Sequence, residues 1–348
     1  MKHDGWVPIR MVGAGGAGEA FVDWCWLGEE RFTQPFFDST IEIAQGLPFN
    51  RLFTHRTSIA ELGAWYAASP GMVPSGFLFH MSRCGSTLVS RMLTALPENL
   101  VISEAGPIDL LARAGWIPEP ARAEWLRWMV SALGQKRSGR ETRYFIKFDS
   151  PTVLALPAIR RAFPSVPWIF LYRDPAEVLI SHLREPAAAM TPGLITDVRA
   201  IDAPMQEVVA MSPEEYAARV IGRICECARL GIDGQGMLVN YTQLPEVVWG
   251  EAARRFGVEF SPDEIALMRE AALYDAKRPR QRFEADGEGK RLEVSEPARV
   301  AVTRWILPHY EELERLRAAA GVLRNLGDDE PCAGHGPAPL LCESATPC

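Results

Sequence analysis

The sequence predicts an α/β protein with three layers, α/β/α, in which helices cover both faces of a mostly parallel central sheet of about five strands. Two observations predict this class. Short apolar runs alternate with helical patterns from about residue 75 to residue 326. Each run is also nearly continuous in apolarity, as a strand covered on both faces requires. The predicted strands, in order, are Gly76–His80, Leu100–Ile102, Tyr144–Lys147, Trp168–Tyr172 and Met237–Tyr241.

Helices are predicted between and after these strands. The clearest are Pro213–Leu230, Pro262–Leu273 and Pro297–Ala319. In the first two, proline occupies the first helical turn directly behind Ser212 and Ser261. This pair of residues is typical of a helix start, because the serine hydroxyl accepts a free backbone N–H and proline has none to satisfy.

Residues 1–72 form a predicted N-terminal appendage that is rich in Trp, Phe and Gly. The segments Trp6–Val12 and Ala20–Trp24 flank a glycine cluster and are predicted to pair as a hairpin. Gly13–Gly18 also matches G-x-G-x-x-G, the dinucleotide-binding pattern. That pattern needs a proper helix and an acidic residue about 20 positions further on. An aromatic stretch follows instead, so a hairpin turn is favoured.

Composition limits the function classes. The chain has 348 residues, of which 47% are hydrophobic and 23% charged, so a packed core is expected, in a main domain over 73–326. A tail over 327–348, rich in Gly, Pro and Cys, is predicted to be disordered. The net charge of −7 disfavours sequence-blind binding to nucleic acid.

Location and metal content are predicted from what the sequence lacks. No run reaches the roughly 20 apolar residues that span a bilayer, and the start has no secretory signal pattern. Seven scattered cysteines without C-x-x-C suit a reducing compartment and provide no zinc site. A cytoplasmic protein without a bound metal is therefore expected.

A glycine loop follows the first strand of the predicted sheet. The helix after it is predicted by apolar residues on one face, namely Leu88, Val89, Met92, Leu93 and Leu96. Gly85 allows a tight turn. The backbone N–H groups of residues Cys84 to Thr87 at this turn, together with the helix dipole, are predicted to form an anion site. Arg83 adds a permanent charge, and the hydroxyls of Ser86 and Thr87 add donors. The sequence therefore predicts a phosphate cradle.

This cradle differs from the loop of ATP and GTP hydrolases. Their pattern places lysine directly after the glycine, followed by the Ser or Thr that holds magnesium. Here the basic residue, Arg83, precedes Gly85. A phosphatase loop, C-x-x-x-x-x-R, would need an arginine six residues after Cys84, whereas Arg91 lies seven residues after it. The start of a helix is nevertheless a position that lowers the pKa of a cysteine, which is the expectation for Cys84.

A second anion site is predicted at the end of the strand Trp168–Tyr172. Arg173 follows this strand directly, where open parallel sheets bind ligands. Pro175 begins the next helix, and Ser181 lies about two turns along it. Arg173 and Ser181 are therefore expected to grip one phosphate, the arginine through its rigid fork of donors.

Together, the two loops carry a resemblance to a known family. Arg-Cys-Gly-Ser-Thr after a strand, then Tyr-Arg-Asp-Pro with a serine eight residues beyond the arginine, resembles the sulfotransferases that use 3′-phosphoadenosine 5′-phosphosulfate (PAPS). The resemblance covers residues 75 to about 310 and implies a P-loop-type fold. It implies that the first loop, Arg83 to Thr87, binds the 5′-phosphosulfate and that Arg173 and Ser181 bind the 3′-phosphate. Tyr241 lies in a segment similar to one whose tyrosine approaches the adenine.

Some positions depart from the family pattern. Arg83 replaces the lysine of cytosolic sulfotransferases, although tyrosylprotein and several bacterial members also look Arg-like here. Leu88 stands where cytosolic members often carry the tryptophan that stacks on adenine. Gly289-Lys290-Arg291 resembles the family's C-terminal Arg-Lys-Gly segment only weakly.

Sulfuryl transfer needs a base for the acceptor and cations for the leaving group. Arg83, Lys147 and Ser86 suit the second task, since Lys147 ends a strand at the same predicted sheet edge. Glu104 follows the second strand, and its spacing resembles that of the catalytic glutamate in tyrosylprotein sulfotransferases. Asp149 falls where cytosolic members have a histidine base. Glu104 is favoured as the base, with Asp149 as its substitute or as an orienting group.

The leading hypothesis is a sulfotransferase that moves a sulfuryl group from PAPS to a hydroxyl or amine. The alternatives are a P-loop kinase or phosphotransferase and a non-catalytic nucleotide-binding protein of the same fold. The predicted pocket walls, residues 103–140 and 183–212, are compatible with small-molecule, carbohydrate or peptide acceptors. The N-terminal appendage either caps the acceptor site or mediates self-association.

Overall fold

A computed structural model describes residues 4–13, 20–192, 201, 203–274 and 294–327, with side chains up to residue 321. Its strands are β1 Trp6–Gly13, β2 Ala20–Trp26, β3 His55–Ser58, β4 Gly76–His80, β5 Asn99–Ser103, β6 Arg143–Lys147, β7 Trp168–Tyr172 and β8 Gly236–Asn240. Its α-helices are α1 Phe37–Gln45, α2 Pro48–Leu52, α3 Ile59–Ala68, α4 Ser86–Thr94, α5 Gly106–Arg113, α6 Glu119–Leu133, α7 Leu156–Ala162, α8 Pro175–Arg184, α9 Met205–Ala210, α10 Pro213–Gly231, α11 Glu246–Trp249, α12 Glu251–Arg255, α13 Pro262–Ala272, α14 Glu296–Ala301 and α15 Leu307–Gly327. Short 3₁₀ turns cover Ser150–Ala155, Ala188–Met190 and Tyr241–Gln243.

The predicted fold class is confirmed. Five strands form one parallel sheet in the order β5-β6-β4-β7-β8, with pairs such as His80 beside Leu171. Every residue of β4, β5 and β7 is buried, because helices flank the sheet. Since the strands are parallel, all five carboxyl ends lie along one edge. Glu104, Asp149, Arg173 and Tyr241 therefore come to the same edge as the glycine loop.

The predicted helices are present, with one interruption. Ser212 and Ser261 cap α10 and α13, and each hydroxyl accepts a backbone N–H at 3.2 Å. The predicted stretch Pro297–Ala319 is helical throughout, but its middle, Val302–Ile306, is a π-helix between α14 and α15. Pro308 lies two residues after this segment and has no N–H to donate, which is a usual setting for such a local change of pitch.

The predicted N-terminal hairpin is confirmed. β1 and β2 pair antiparallel from Trp6 with Trp26 to Gly13 with Ala20, and residues 14–19 between them lie outside the described residues. A third strand, β3, pairs with β2 and was not predicted, because its four residues are mostly polar. Gly289-Lys290-Arg291 and the tail beyond residue 327 also lie outside the described residues.

The N-terminal sheet packs on the rest of the chain through one continuous apolar core. β1 lies against α5 and α6, and α3 lies against α6. The Arg31 guanidinium donates to the carbonyl oxygen of Leu96 at 2.9 Å, at the end of the turn that follows α4. These contacts join the N-terminal sheet to the main domain.

None of the described helices is apolar enough over a sufficient length to cross a membrane. Among the described residues there is also no group of three or more His, Cys, Asp or Glu side chains arranged to hold a metal ion.

Candidate active site

The glycine loop turns by means of left-handed backbone. Ser82, Arg83 and Gly85 have φ values of 76°, 49° and 88°. Such values cost a non-glycine residue on the order of 1 kcal/mol, so the surroundings must impose them. At Gly85 a Cβ would lie 2.9 Å from Leu244 Cδ1 and 3.0 Å from Tyr241 Cδ2, which only glycine avoids. The loop is therefore held in a tight turn against the segment that follows β8.

The turn leaves the N-terminus of α4 open. No side chain caps this helix, and Gly85 occupies the capping position. The first N–H groups of a helix have no partner within it, so these donors face the loop. Ser86 is buried and Thr87 is half-buried at the same helix end. This arrangement provides the free donors that the predicted anion cradle requires.

Arg83 closes one side of the loop by reaching α8. Its Nη2 donates to the carbonyl oxygen of Glu185 at 2.6 Å, and its Nη1 lies 3.0 Å from Glu185 Oε2. The side chain of Arg83 is mostly buried, while that of Glu185 is open to solvent. The permanent charge that the sequence predicts at this loop is thus present, between the loop and the end of α8.

Cys84 does not behave as expected from its position at a helix start. Its thiol is fully buried and donates to the carbonyl oxygen of Leu171 at 3.1 Å. Burial raises the pKa of Cys84 to about 12. The hypothesis of a thiol with a lowered pKa is wrong, because desolvation of the thiolate outweighs the helix dipole. Only the backbone of Cys84 is available to the loop.

The second predicted anion site lies at the start of α8. Arg173 follows β7, and its Nε and Nη2 lie 2.6 and 2.5 Å from Glu177 Oε2. The guanidinium carbon lies 4.1 Å from the centre of the Tyr241 ring, a close cation–π contact. Ser181 is half-buried two turns along α8. Since Tyr241 also borders Gly85, one tyrosine joins the two predicted anion sites.

An ion pair lies at the sheet edge where β5 and β6 end. The Lys147 ammonium donates to Glu104 Oε1, and only 1% of the lysine side chain is exposed. Burial alone would raise the pKa of Glu104, but Lys147 and His80 outweigh it and bring that pKa down to about 2. Glu104 itself has a left-handed backbone, with φ of 57°, and its N–H donates to the carbonyl oxygen of Lys147 at 2.7 Å. Backbone and side chain thus hold the two residues together.

His80 lies behind this pair. The backbone N–H of Ser82 donates to His80 Nδ1 at 3.1 Å, so the proton of the neutral ring is on Nε2. That Nε2 lies 3.5 Å from Glu104 Oε1, too far for a well-formed hydrogen bond. His80 is 4% exposed. A buried donor therefore faces the carboxylate of Glu104 at long range.

Two further carboxyl groups lie beside Glu104. Asp149 Oδ1 accepts the N–H of Ser150 at 2.8 Å, and burial together with the charge of Glu104 raises the pKa of Asp149. Asp109, on α5, accepts the hydroxyl of Thr152 at 2.7 Å. Burial, and then the charge of Asp149, raise the pKa of Asp109 to about 8. The result is a row of three carboxyl groups at the ends of β5 and β6.

Sequence reasoning missed three members of this group. His80 and Asp109 carry no distinctive signal, because a strand-end histidine and an acid in the first turn of a helix are common. Phe36, from the N-terminal unit, lies with its ring centre 5.2 Å from Lys147 Nζ. No local pattern connects Phe36 to Lys147, which is 111 residues further along the chain.

Comparisons with known proteins give matches of structure. No protein-family model matches the chain, and no curated protein matches its sequence. A sulfotransferase from Alicyclobacillus acidocaldarius is 14% identical with a TM-score of 0.42, over 71% of this chain and 96% of that one. The sulfotransferase domain from the curacin biosynthetic pathway is 15% identical with a TM-score of 0.38, over 72% and 98%.

A third match is retinol dehydratase in complex with androsterone and the inactive cofactor PAP. It is 13% identical with a TM-score of 0.34, over 74% of this chain and 88% of that one. These three matches report a partial structural similarity to solved sulfotransferases. What it does is inferred from the loop, the second arginine and the ion pair described above.

Proposed function

We propose that this protein is a PAPS-dependent sulfotransferase, which transfers a sulfuryl group to a hydroxyl or amine. One observation carries the proposal: Arg83 in the glycine loop and Arg173 after β7 lie at one sheet edge, where Tyr241 contacts both the loop and Arg173 and the pair of Lys147 and Glu104 lies at the same edge. A nucleotide with phosphate at both ends of its ribose needs two anion sites. Sulfuryl transfer also needs a cation and a base beside the first of them.

The residues present fit this donor. The left-handed turn at Gly85 and the uncapped N-terminus of α4 suit an anionic group that approaches the backbone closely. The 5′-phosphosulfate would be held by the loop, namely Arg83, Cys84, Gly85, Ser86 and Thr87. The 3′-phosphate would be held by Arg173 and Ser181, with the adenine near Tyr241.

Glu104 is the proposed base, and Lys147 controls its strength. A general base works best when its pKa is near the working pH, whereas the ion pair holds the pKa of Glu104 at about 2. An anion in the loop would compete with Glu104 for the Lys147 ammonium. With the donor bound, the Lys147 ammonium would stabilise the charge of the leaving group, and burial would then be the main influence on Glu104 and would raise its pKa. The carboxylate then takes the proton of the attacking group.

Asp149 remains the substitute or orienting group. It lies close enough for its pKa to respond to Glu104, and its Oδ1 is already engaged by the N–H of Ser150. That hydrogen bond leaves the second oxygen of Asp149 to orient an acceptor. The proposal further includes a cytoplasmic location, which suits the four described cysteines, all of which are free thiols.

The base assignment is tested by Glu104→Gln, with Asp149→Asn as the matched variant. Glu104→Gln should lower kcat by about 100-fold or more while the affinity for the product, adenosine 3′,5′-bisphosphate (PAP), is retained. Asp149→Asn should lower kcat less. Undiminished turnover in Glu104→Gln would transfer the role of base to Asp149.

The donor assignment is tested by thermal shift. PAP should stabilise the protein at concentrations where ATP with magnesium and NAD do not, because only PAP carries the 3′-phosphate that Arg173 is proposed to bind. A shift with ATP and magnesium but none with PAP would instead favour a kinase or phosphotransferase.

A further inference from the structure

The strands β7 and β8 end side by side, directly before two residues of the proposed donor site. Tyr172 is paired with Asn240 at the last register position that the two strands share. Arg173 follows the first strand, and Tyr241 follows the second. Because the ladder ends at this pair, strand pairing does not fix where Arg173 and Tyr241 lie. Other contacts must therefore set their positions.

One carboxylate of the C-terminal helix α15 accepts hydrogen bonds from both strand ends. The Tyr172 hydroxyl donates to Glu314 Oε1, and Asn240 Nδ2 donates to the same oxygen at 3.0 Å. Asn240 Nδ2 also lies 3.2 Å from the Tyr310 hydroxyl, one turn earlier on α15. Tyr172 is fully buried and Asn240 is 4% exposed. Since a buried donor is costly to leave without an acceptor, these contacts tie α15 to the ends of β7 and β8.

Arg317 balances the charge of this carboxylate. Its Nε and Nη2 donate to Glu314 Oε1 and Oε2 at 3.1 and 2.8 Å. Burial alone would raise the pKa of Glu314, but its hydrogen-bond donors outweigh burial and bring that pKa down to about 2. Glu314 is therefore ionised at neutral pH, and its partner Arg317 offsets the repulsion that it would exert on an anionic nucleotide.

Asn240 extends this hold to Tyr241. The Oδ1 atom of Asn240 accepts the N–H and the hydroxyl of Thr242, both at 3.0 Å. The N–H of Asn240 donates to Gln243 Oε1 at 2.8 Å. These hydrogen bonds close the 3₁₀ turn that follows β8 and begins at Tyr241. The ring of Tyr241 is thereby kept 4.1 Å from the guanidinium carbon of Arg173.

We propose that Glu314 is a positioning residue of the donor site, which holds the ends of β7 and β8 together and so sets the spacing between Arg173 and Tyr241. In this role it acts through these two residues rather than through a contact with the donor. Groups that are held in place before binding lose less conformational freedom when the ligand arrives, so affinity is higher. This inference rests on the proposed function and adds the C-terminal helix to the residues on which donor affinity depends.

Substitution of Glu314 tests the role, with PAP binding to the full chain measured by calorimetry. Glu314→Leu should weaken PAP binding about tenfold, because both strand ends lose their shared acceptor. Glu314→Gln keeps an Oε1 acceptor for Tyr172 and Asn240, so its loss of affinity should be no more than about threefold.

The matched control is Glu264→Leu. Glu264 is also a partly buried carboxylate on a C-terminal helix, α13, and it pairs with Arg143 where β6 begins, at the opposite edge of the sheet. Its replacement should lower the melting temperature and leave PAP affinity unchanged. Equal losses of PAP affinity in Glu264→Leu and Glu314→Leu overturn the proposal, because they would reflect a general loss of stability.

A double variant tests whether Glu314 acts through Arg173. In the background of Arg173→Met, Glu314→Leu should weaken PAP binding by no more than about threefold, because the guanidinium that it positions is absent. A further loss of the full tenfold size would show that the two residues act independently and would refute the role. Tyr172→Phe removes one hydroxyl and keeps the ring, so it serves if Glu314→Leu does not fold. It should weaken PAP binding about threefold, and unchanged affinity in this variant also overturns the proposal.

The same measurements separate this inference from the proposed function. If PAP does not bind the unaltered protein, the donor assignment fails. If PAP binds the unaltered protein and Glu314→Leu with equal affinity, only the role of Glu314 fails.

Discussion

Replacing Lys147 by methionine is expected to add a pH dependence to the free energy of unfolding that Glu104 does not contribute in the unaltered protein. Methionine keeps most of the length and apolar character of the lysine stem but removes the ammonium group. Glu104 is then left as a mostly buried carboxylate without its closest cation. Removal of one partner from a buried ion pair is strongly destabilising, because the other charge stays desolvated.

The size of the effect follows from the pKa of Glu104. Burial opposes ionisation of Glu104, yet the pKa falls from an ordinary 4.5 to about 2, with Lys147 as the strongest favourable influence. At 1.36 kcal/mol for each pH unit, this difference is worth about 3 kcal/mol to the folded state at neutral pH. Without Lys147, burial dominates and the pKa rises above 4.5. A loss of at least about 3 kcal/mol at pH 7 is therefore expected.

The sign of the pH dependence distinguishes the two proteins. In the unaltered protein the folded pKa of Glu104 is lowered, so its contribution is fully present above pH 4.5 and is lost only as the pH falls toward 2. In Lys147→Met the folded pKa is raised, so stability is greatest at low pH and is lost as the pH rises through that raised value. Urea unfolding is measured at intervals from pH 5 to 8. Over this range the contribution of Glu104 to the free energy of unfolding should fall in the variant and stay constant in the unaltered protein.

Two further variants control the measurement. Lys147→Met combined with Glu104→Gln should recover most of the loss and remove its pH dependence, because no buried charge remains. Arg140→Met breaks an exposed pair with Glu98, 3.0 Å long, and should cost less than about 1 kcal/mol at every pH. The reasoning is refuted if Lys147→Met costs no more than Arg140→Met, or costs the same at pH 5 and pH 8.

Three other predictions concern the two anion sites. Gly85→Ala should weaken PAP binding at least tenfold in calorimetry, because a Cβ at this position meets side-chain atoms 2.9 Å away. The control is Gly139→Ala, which has a similar φ of 79° but open space around it and should leave PAP binding unchanged. The Cys84 thiol should stay unmodified by iodoacetamide in the folded protein at pH 8, because burial raises its pKa to about 12. It should react once urea is added, which peptide mass spectrometry can show. Rapid labelling without urea would contradict the burial of this thiol. Arg173→Met should weaken PAP binding by about 10- to 100-fold, the loss of charge-assisted hydrogen bonds to a phosphate. Its control is Arg219→Met, which also breaks an ion pair with a glutamate four residues away, Glu215, and a cation–π contact of 4.2 Å with Trp305, but lies away from the loop. Equal losses of PAP affinity in the two variants would refute the role of Arg173.

Much of the scaffold could be predicted because its signals are local. The five strands of the parallel sheet are short, continuously apolar runs, and each was predicted within one residue of its observed ends. A parallel sheet brings the ends of its strands to one edge, so Glu104, Lys147 and Arg173 could be expected to meet there. Helix starts such as Ser212 before Pro213 could likewise be predicted from a few neighbouring residues.

Cys84 shows where local reasoning failed. A helix N-terminus lowers the pKa of a thiol that faces solvent, and the sequence does not tell which way the side chain points. In the fold the thiol points inward to the carbonyl oxygen of Leu171, and desolvation dominates. The short strand β3 was missed for a related reason, since only its pairing with β2 makes four mostly polar residues a strand.

The sequence by itself determined the layered fold, the glycine loop and the arginine after β7, because each depends on residues close together in the chain. Only the tertiary structure decided which groups surround Lys147. Its pairing with Glu104, the proximity of Asp109 to Asp149, and the approach of Phe36 join three separate stretches of the chain. The electrostatic environment and the burial of Lys147 and Glu104 depend on all of these segments together. The strength of the proposed base can therefore be inferred only once the chain is folded.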